Sequence, residues 1–245
     1  FEFRFRAGAP TGLQRIHGGT HLRFDPDGKV VLHRDYWDAA GELYAKLPLI
    51  GAVMRWLRRR GLRGVSMGEL LAAADRGRAR GLVGLTFDDG YQDFITNALP
   101  VLQRYGFTAT VFVLAGRLGG ENEWSRPGPT KALLTADEVR HIADAGMEVG
   151  SHGLKHISLL KANDDMLASE TSRSRQMLQE LLARPVPGFC YPYGYLDARV
   201  VAAARAAGYD YACAVKAGPD IGRHAIPRTL VHEGDTSWRL EAKRV

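Results

Sequence analysis

The sequence predicts an α/β fold: a parallel sheet with helices, preceded by a short antiparallel segment. Three observations carry this. From about residue 60 onward, strand-like and helix-like runs alternate, the rhythm of repeated βα units. The runs "GLVGLTF" and "TATVFVLAG" are apolar without alternation, as strands buried on both faces are. Before residue 60, "FEFRFRAG" alternates apolar and polar residues, the period of a half-exposed antiparallel strand.

The elements follow in order. "THLRFDPDGKVVLHRDYWD" reads as two strands around a DPDG turn. "AAGELYAKLPLIGAVMRWLRRRG" is helix-like, interrupted by Pro48. These two stretches belong to a first segment, 1–60; the βα region is 61–245. In the latter, "GLVGLTF" is the first strand, and "NALPVLQRYG" is a helix with a glycine stop. "TATVFVLAG" is rich in β-branched residues and forms the next strand. "LTADEVRHIADAG" carries a capping box, Thr135 with Glu138, and Gly146 where the helix should stop. "MEVGSHG" is a third strand. "NDDMLASETSRSRQMLQELLA" is a long helix with an apolar stripe through Met166, Leu167, Met177, Leu178, Leu181 and Leu182. "GFCYPYG" is a fourth strand end, "DARVVAAARAAG" a helix, "YDYACAVK" a fifth strand and "AIPRTLVH" a last one. Such a sheet is either open or closed into a barrel.

Composition excludes several classes. The 245 residues are 45% hydrophobic and 24% charged, enough for a globular core. No apolar run approaches the ~20 residues that span a bilayer. The net charge is +6, and much of the excess sits between Arg55 and Arg63, which reads as a solvated helix face rather than a nucleic-acid site. Cys190 and Cys213 form no CxxC pattern, so a cysteine-based zinc site is not expected, and their spacing does not argue for a disulfide. The chain starts at Phe1 without a charged-then-apolar leader, so the compartment is not readable.

Parallel α/β folds place their sites at the carboxyl ends of the strands. Three ends here hold unusual residues: Asp88-Asp89 in "TFDDGY", His152 and His156 in "SHGLKH", and Tyr193 in "YPYG". Alone, an aspartate pair before glycine is an ordinary turn or cap, and two histidines four apart are often surface residues. On a helical turn, though, that spacing would put both imidazoles on one face, able to share a metal. Two histidines and one aspartate make three protein ligands with positions left open, the pattern of a catalytic metal. Neighbouring side chains on an extended segment point apart. One aspartate would therefore face the metal, and the other would hold a polarised water for attack on a carbonyl.

These three motifs, in this order, resemble the NodB-type polysaccharide deacetylases, carbohydrate esterase family 4, over roughly residues 60–235. The resemblance implies a distorted (β/α) barrel and a divalent metal, Zn2+ above all. It also implies removal of N-acetyl or O-acetyl groups from a carbohydrate polymer or glycan. It assigns Asp88 as base, Asp89, His152 and His156 as metal ligands, and the Tyr193 backbone N–H as an oxyanion donor. By the same analogy the chain is expected in the cell envelope or outside the cell. Three departures stand out. Cys190 occupies the place of an arginine that orients the catalytic aspartate, and Arg228 in "IPRTLV" is the residue able to supply that charge from another strand. The family's Asp-Trp motif has no counterpart; "YDYACAVK" fills that region. The leaving-group acid has two candidates: His232 in "LVH", and His33, by analogy with the branch that deacetylates biofilm poly-N-acetylglucosamine.

The first sixty residues are similar instead to the end of a SnoaL-type, nuclear-transport-factor-2-like cone domain, in which the stretch around His33 is structural strand. Tyr36 and Trp37 then read as core aromatics. Trp124, in a loop, either stacks on a sugar or caps the barrel, with the cap preferred. Two other functions remain open at this stage: a non-catalytic glycan-binding relative, and a small-amide C–N hydrolase on the same fold.

Overall fold

The computed structural model describes residues 2–6, 13–24, 30–37, 49–125, 130–215 and 222–231. Strands β1 (Glu2–Arg6), β2 (Leu13–Phe24) and β3 (Val30–Trp37) form an antiparallel sheet in the order β1-β2-β3. This agrees with the period-2 pattern. The DPDG turn between β2 and β3 lies outside the described residues. His33 pairs with Leu22 across the β2–β3 ladder, an ordinary strand position.

Helix α1 (Leu49–Arg59) begins directly after Pro48. Its Ile50, Met54 and Leu57 lie at i, i+4, i+7, one helical face, and join the same hydrophobic core as the barrel strands. Arg55, Arg58 and Arg59 of this helix stay exposed, as expected of a solvated face. The next two elements escaped the sequence reading: β4 (Arg63–Val65) and α2 (Met67–Asp75). Ser66 caps α2 by accepting the Glu69 amide at 3.1 Å, so the signal "SMGE" was present in the text.

The "GLVGLTF" run forms β5 (Leu82–Gly84) and β6 (Thr86–Phe87). They are parted only at Leu85, whose amide donates to the Val65 carbonyl and whose carbonyl accepts the Thr110 amide. The run therefore lies between β4 and β7 (Thr110–Val113). A π-helical turn (Phe94–Ala98) leads into α3 (Leu99–Tyr105), which stops at Gly106 with φ 64°. Helix α4 (Ala136–Asp144) carries the expected capping box of Thr135 and Glu138. Then follow β8 (Glu148–Ser151), a helix in two pieces, α5 (Asp164–Ala168) and α6 (Ser174–Leu182), and β9 (Gly188–Cys190). The last elements are α7 (Ala198–Ala206), β10 (Tyr211–Ala214) and β11 (Ile226–Pro227).

Strands β6 to β11 pair in chain order, all parallel. Arg228, immediately after β11, donates to Thr86 Oγ1 on β6 at 2.9 Å. The two ends of the ladder thus meet, and the sheet is curled into a distorted barrel. Its core strands are buried throughout: Thr110–Val113, Gly188–Cys190 and Tyr211–Ala214 expose nothing appreciable, as continuous apolar runs require. All the elements ending at one rim bring their following loops together, and those loops carry the unusual residues.

Candidate metal and catalytic site

Asp88 and Asp89 follow β6, the SHGLKH segment begins at the end of β8, and Tyr193 lies just past β9. Folding brings Asp89, His152 and His156 together. The Nε2 atoms of both histidines lie 3.2 Å from Asp89 Oδ1. Both rings are buried, and the Asp89 side chain is 17% exposed. One expectation needs correcting: the histidines do not share a helical turn. Residues 152–157 form no helix, and His156 has φ 58°. The left-handed residue, not helical periodicity, turns the second imidazole back toward the first.

Among the described residues, three of the four non-glycine residues with positive φ are in this site: Asp89 (69°), His156 (58°) and Tyr193 (61°). Each costs roughly 1–2 kcal/mol relative to right-handed backbone. Such strain persists only where the surroundings hold it, and it clusters at functional sites. Asp89 and Gly90 are both left-handed, so the chain reverses at once after β6. That turn separates the two carboxylates.

The donor set suits a divalent cation. Two imidazole nitrogens and a carboxylate oxygen converge, and they can ligate one ion. Asp89 Oδ1 is buried with no hydrogen-bond partner of good geometry among the described residues, an acceptor without a donor. His152 Nδ1 sits 2.7 Å from the Cys190 carbonyl. A carbonyl only accepts, so Nδ1 carries a proton and Nε2 is the atom turned to Asp89, the orientation in which metal-bound histidines are held. Burial works against a charge on this ring, but the acidic groups around it outweigh burial and raise its pKa, so a cation would take the place of the Nε2 proton. Burial lowers the His156 pKa, and although Asp89 pulls the other way, the ring is held toward its neutral, ligating form. Burial works against the Asp89 carboxylate, but the two facing imidazoles outweigh it and lower its pKa. Trp124 stacks on His156, with ring centroids 4.6 Å apart. It also packs on the buried cluster of Tyr91, Leu114 and Leu133, so it covers the core at this rim and backs a candidate ligand as well.

Asp88 takes the other side. Arg228 Nη1 and Nη2 each donate to one Asp88 oxygen at 2.7 Å, a bidentate pair. The Cys190 thiol lies 3.5 Å from Asp88 Oδ2 and 3.0 Å from Arg228 Nη2. Burial pushes the thiol pKa up, so Cys190 stays neutral. Burial also opposes the Asp88 charge, but Arg228 outweighs it and lowers the pKa. The cation expected from position 190 is thus present, supplied from β11. Asp88, His152 and Cys190 also lie close enough to be considered for a metal. The guanidinium occupies that space and His152 Nδ1 is already bonded, so the Asp89 cluster is the better candidate.

Tyr193 is 46% exposed, its ring edge-on to His156 at 4.4 Å. Tyr195, 51% exposed, stacks beside it with centroids 6.3 Å apart. Sequence reasoning did not single out Tyr195, though "YPYGY" repeats an aromatic at alternate positions. His232 lies outside the described residues, and of His33 only the strand position is described. Cys190 and Cys213 are free and buried. No helix among the described residues is long and apolar enough to cross a membrane.

The polysaccharide deacetylase family profile matches residues 75–212. Among curated proteins, the poly-beta-1,6-N-acetyl-D-glucosamine N-deacetylase of Staphylococcus aureus (strain MSSA476) is 23% identical over 193 residues, covering 74% of this chain and 65% of that protein. YxkH of Bacillus subtilis (strain 168), named as an unproven polysaccharide deacetylase, is 27% identical over 188 residues, covering 75% and 64%. The chain thus spans just under two thirds of the length of these relatives. Among solved structures, IcaB from Ammonifex degensii superimposes with a TM-score of 0.66 at 25% identity, covering 79% of this chain and 87% of that one. The Streptococcus pyogenes deacetylase PplD, in complex with acetate, gives 0.69 at 24% identity, covering 80% and 85%.

Proposed function

The chain belongs to the polysaccharide deacetylase family, and on that premise we propose that it is a divalent-metal-dependent hydrolase removing acetyl groups from an N-acetylated carbohydrate polymer. The observation that carries this reading is the convergence of Asp89 Oδ1 with two histidine Nε2 atoms at 3.2 Å, beside a second carboxylate held by Arg228. The named substrate of the Staphylococcus aureus relative supports an N-acetylhexosamine polymer as the substrate class.

Asp89, His152 and His156 would hold the metal, Zn2+ by the chemistry of this donor set. When bound, it supplies Lewis acidity toward the acetyl carbonyl and its attacking water. The chain's residues do the rest. Asp88, kept ionised by Arg228, accepts the proton of the attacking water. Arg228 and the Cys190 thiol fix the carboxylate so that it does not swing toward the cation. The Tyr193 backbone N–H donates to the oxygen that gains charge. His232, four residues after Arg228 in the sequence, is assigned the proton donated to the departing amine.

The reading as a non-catalytic glycan binder rested on a missing cation at Cys190 and on an unassigned acid; Arg228 fills the first role, and the acid is a matter for the activity test. The exposed Tyr193–Tyr195 pair favours a sugar over a small amide, because aromatic faces suit the apolar faces of pyranose rings. The test is acetate release from acetylated chito-oligosaccharides and from poly-β-1,6-N-acetylglucosamine, with chelator and with zinc restored. Zinc-restored release is expected; a zinc-loaded chain that releases no acetate from any acetylated glycan would overturn the reading.

A further inference from the structure

Between the two histidines runs Gly153-Leu154-Lys155, and beneath it lies Glu170. Glu170 is a carboxylate only 3% exposed, an expensive side chain to bury. Its Oε2 accepts the Leu154 amide at 2.7 Å and the Lys155 amide at 3.2 Å. Both bonds fall in the short span that separates the candidate ligands. A Cβ on Gly153 would sit 2.6 Å from the same oxygen, and Gly153 has φ 87°. Glycine is needed there because the carboxylate occupies the space of a side chain.

Glu170 reaches this place through a defect in its own helix. Residues Ser169–Arg173 form a π-helical turn between α5 and α6. The wider turn puts Glu170, Thr171 and Ser174 all on the buried side. π-turns of this kind occur disproportionately at functional sites. A chain of donors completes the support. The Gly153 amide donates to Ser151 Oγ at 3.1 Å, Ser151 Oγ to Ser174 Oγ at 2.8 Å, and Ser174 Oγ to the Glu170 carbonyl at 2.6 Å. Three consecutive amides of the loop are therefore tied to one helical turn. The residue this loop delivers is His156, left-handed and not glycine, a conformation that needs external restraint.

We propose that Glu170 is a positioning residue of the metal centre, its carboxylate fixing the 153–155 turn so that His152 and His156 converge on Asp89. This rests on the metal-binding reading of that cluster, not on the identity of the substrate. A carboxylate that only filled space would be replaceable without effect on the ligands. A brace depends on reach, since its oxygen must meet two amides at once.

The experiment uses the full chain and reads metal affinity rather than turnover. Zinc affinity is measured by competition with a chromophoric chelator, and geometry by the visible spectrum of the Co2+-substituted protein. Glu170→Gln keeps the reach and one acceptor oxygen; Glu170→Asp keeps the charge but withdraws it by one methylene. Glu170→Asp is expected to weaken zinc binding 10- to 100-fold and alter the Co2+ spectrum, while Glu170→Gln stays within about 3-fold of wild type. Wild-type zinc affinity in a folded Glu170→Asp variant overturns the proposal, as does a loss of thermal stability without a change in affinity. If Glu170→Asp does not fold, Gly153→Ala displaces the same contact, and unaltered zinc affinity there overturns it equally. A wild-type chain that binds zinc but releases no acetate overturns the proposed activity alone; one that binds no zinc overturns both.

Discussion

Arg228 holds both carboxylate oxygens of Asp88 at 2.7 Å, reaching from the last strand of the barrel to the end of β6. The pair sets the charge of the proposed base and also links the two ends of the curled sheet. Without Arg228, burial would lose its main opponent at Asp88, leaving only His152 against it, and the pKa would rise. Arg228→Met is therefore expected to shift the acid limb of the kcat/KM–pH profile to higher pH. It should also lower kcat about 100-fold even on the plateau, through loss of orientation. Arg228→Lys should recover the charge but not the two-point grip, and so only part of the rate.

The two carboxylates have separable roles. Asp89→Asn and His152→Ala are expected to abolish tight zinc binding and, with it, acetate release. Asp88→Asn should leave zinc bound within a few-fold of wild type while lowering kcat by about 10²–10⁴. Calorimetric zinc titration beside acetate assays checks both. Equal loss of metal in all three variants would contradict the division of roles.

Trp124 lies flat on His156 at 4.6 Å. Stacked aromatic pairs contribute about 0.5–1.5 kcal/mol, so Trp124→Ala is expected to weaken zinc binding roughly 3- to 10-fold. Had Trp124 served the sugar instead, KM would change and zinc affinity would not.

Tyr195 is half exposed, and its ring stacks beside Tyr193. Tyr195→Ala is expected to raise KM for a polymeric substrate roughly 5-fold, the worth of about 1 kcal/mol of stacking, with zinc affinity unchanged. Steady-state kinetics on oligomers of increasing length would measure this.

The capping box gives an acid-side stability change. Burial opposes the Glu138 charge, but the Thr135 amide at 2.8 Å and the Gln92 amide at 2.7 Å together outweigh it and lower the pKa. A depressed folded pKa means the stabilisation is complete above the unfolded carboxylate value. It is lost as pH falls through the folded one. Glu138→Gln should flatten this part of the melting temperature–pH curve between about pH 5 and pH 3. Thr135→Ala should cost about 1 kcal/mol at neutral pH.

The site was legible where chemistry sits in short contiguous motifs. Asp88, Asp89, His152, His156 and Tyr193 come together at one rim because each follows a strand of the same parallel ladder. Arg228 was legible as a charge in want of a role. The geometry of the histidine pair was not, because spacing of four invites a helix and a left-handed residue leaves no periodic trace. Glu170 and Trp124 were hidden for another reason: each acts across the fold, 14 and 32 residues from His156, with nothing local to mark it. The π-turn that aims Glu170 inward lies within what reads as one unbroken amphipathic helix. Residues 63–75 were missed because a three-residue strand containing glycine is too short for a pattern, although the cap at Ser66 was in view.

The left-handed backbone at Asp89, His156 and Tyr193 has a bearing on engineering this chain. Glycine at any of the three would relieve the conformational strain, so a search guided by backbone energy alone would be drawn to these positions. Each such gain in robustness would delete a group the site relies on. Thermal improvement should therefore be sought in the helices and their caps, with these three turns kept fixed.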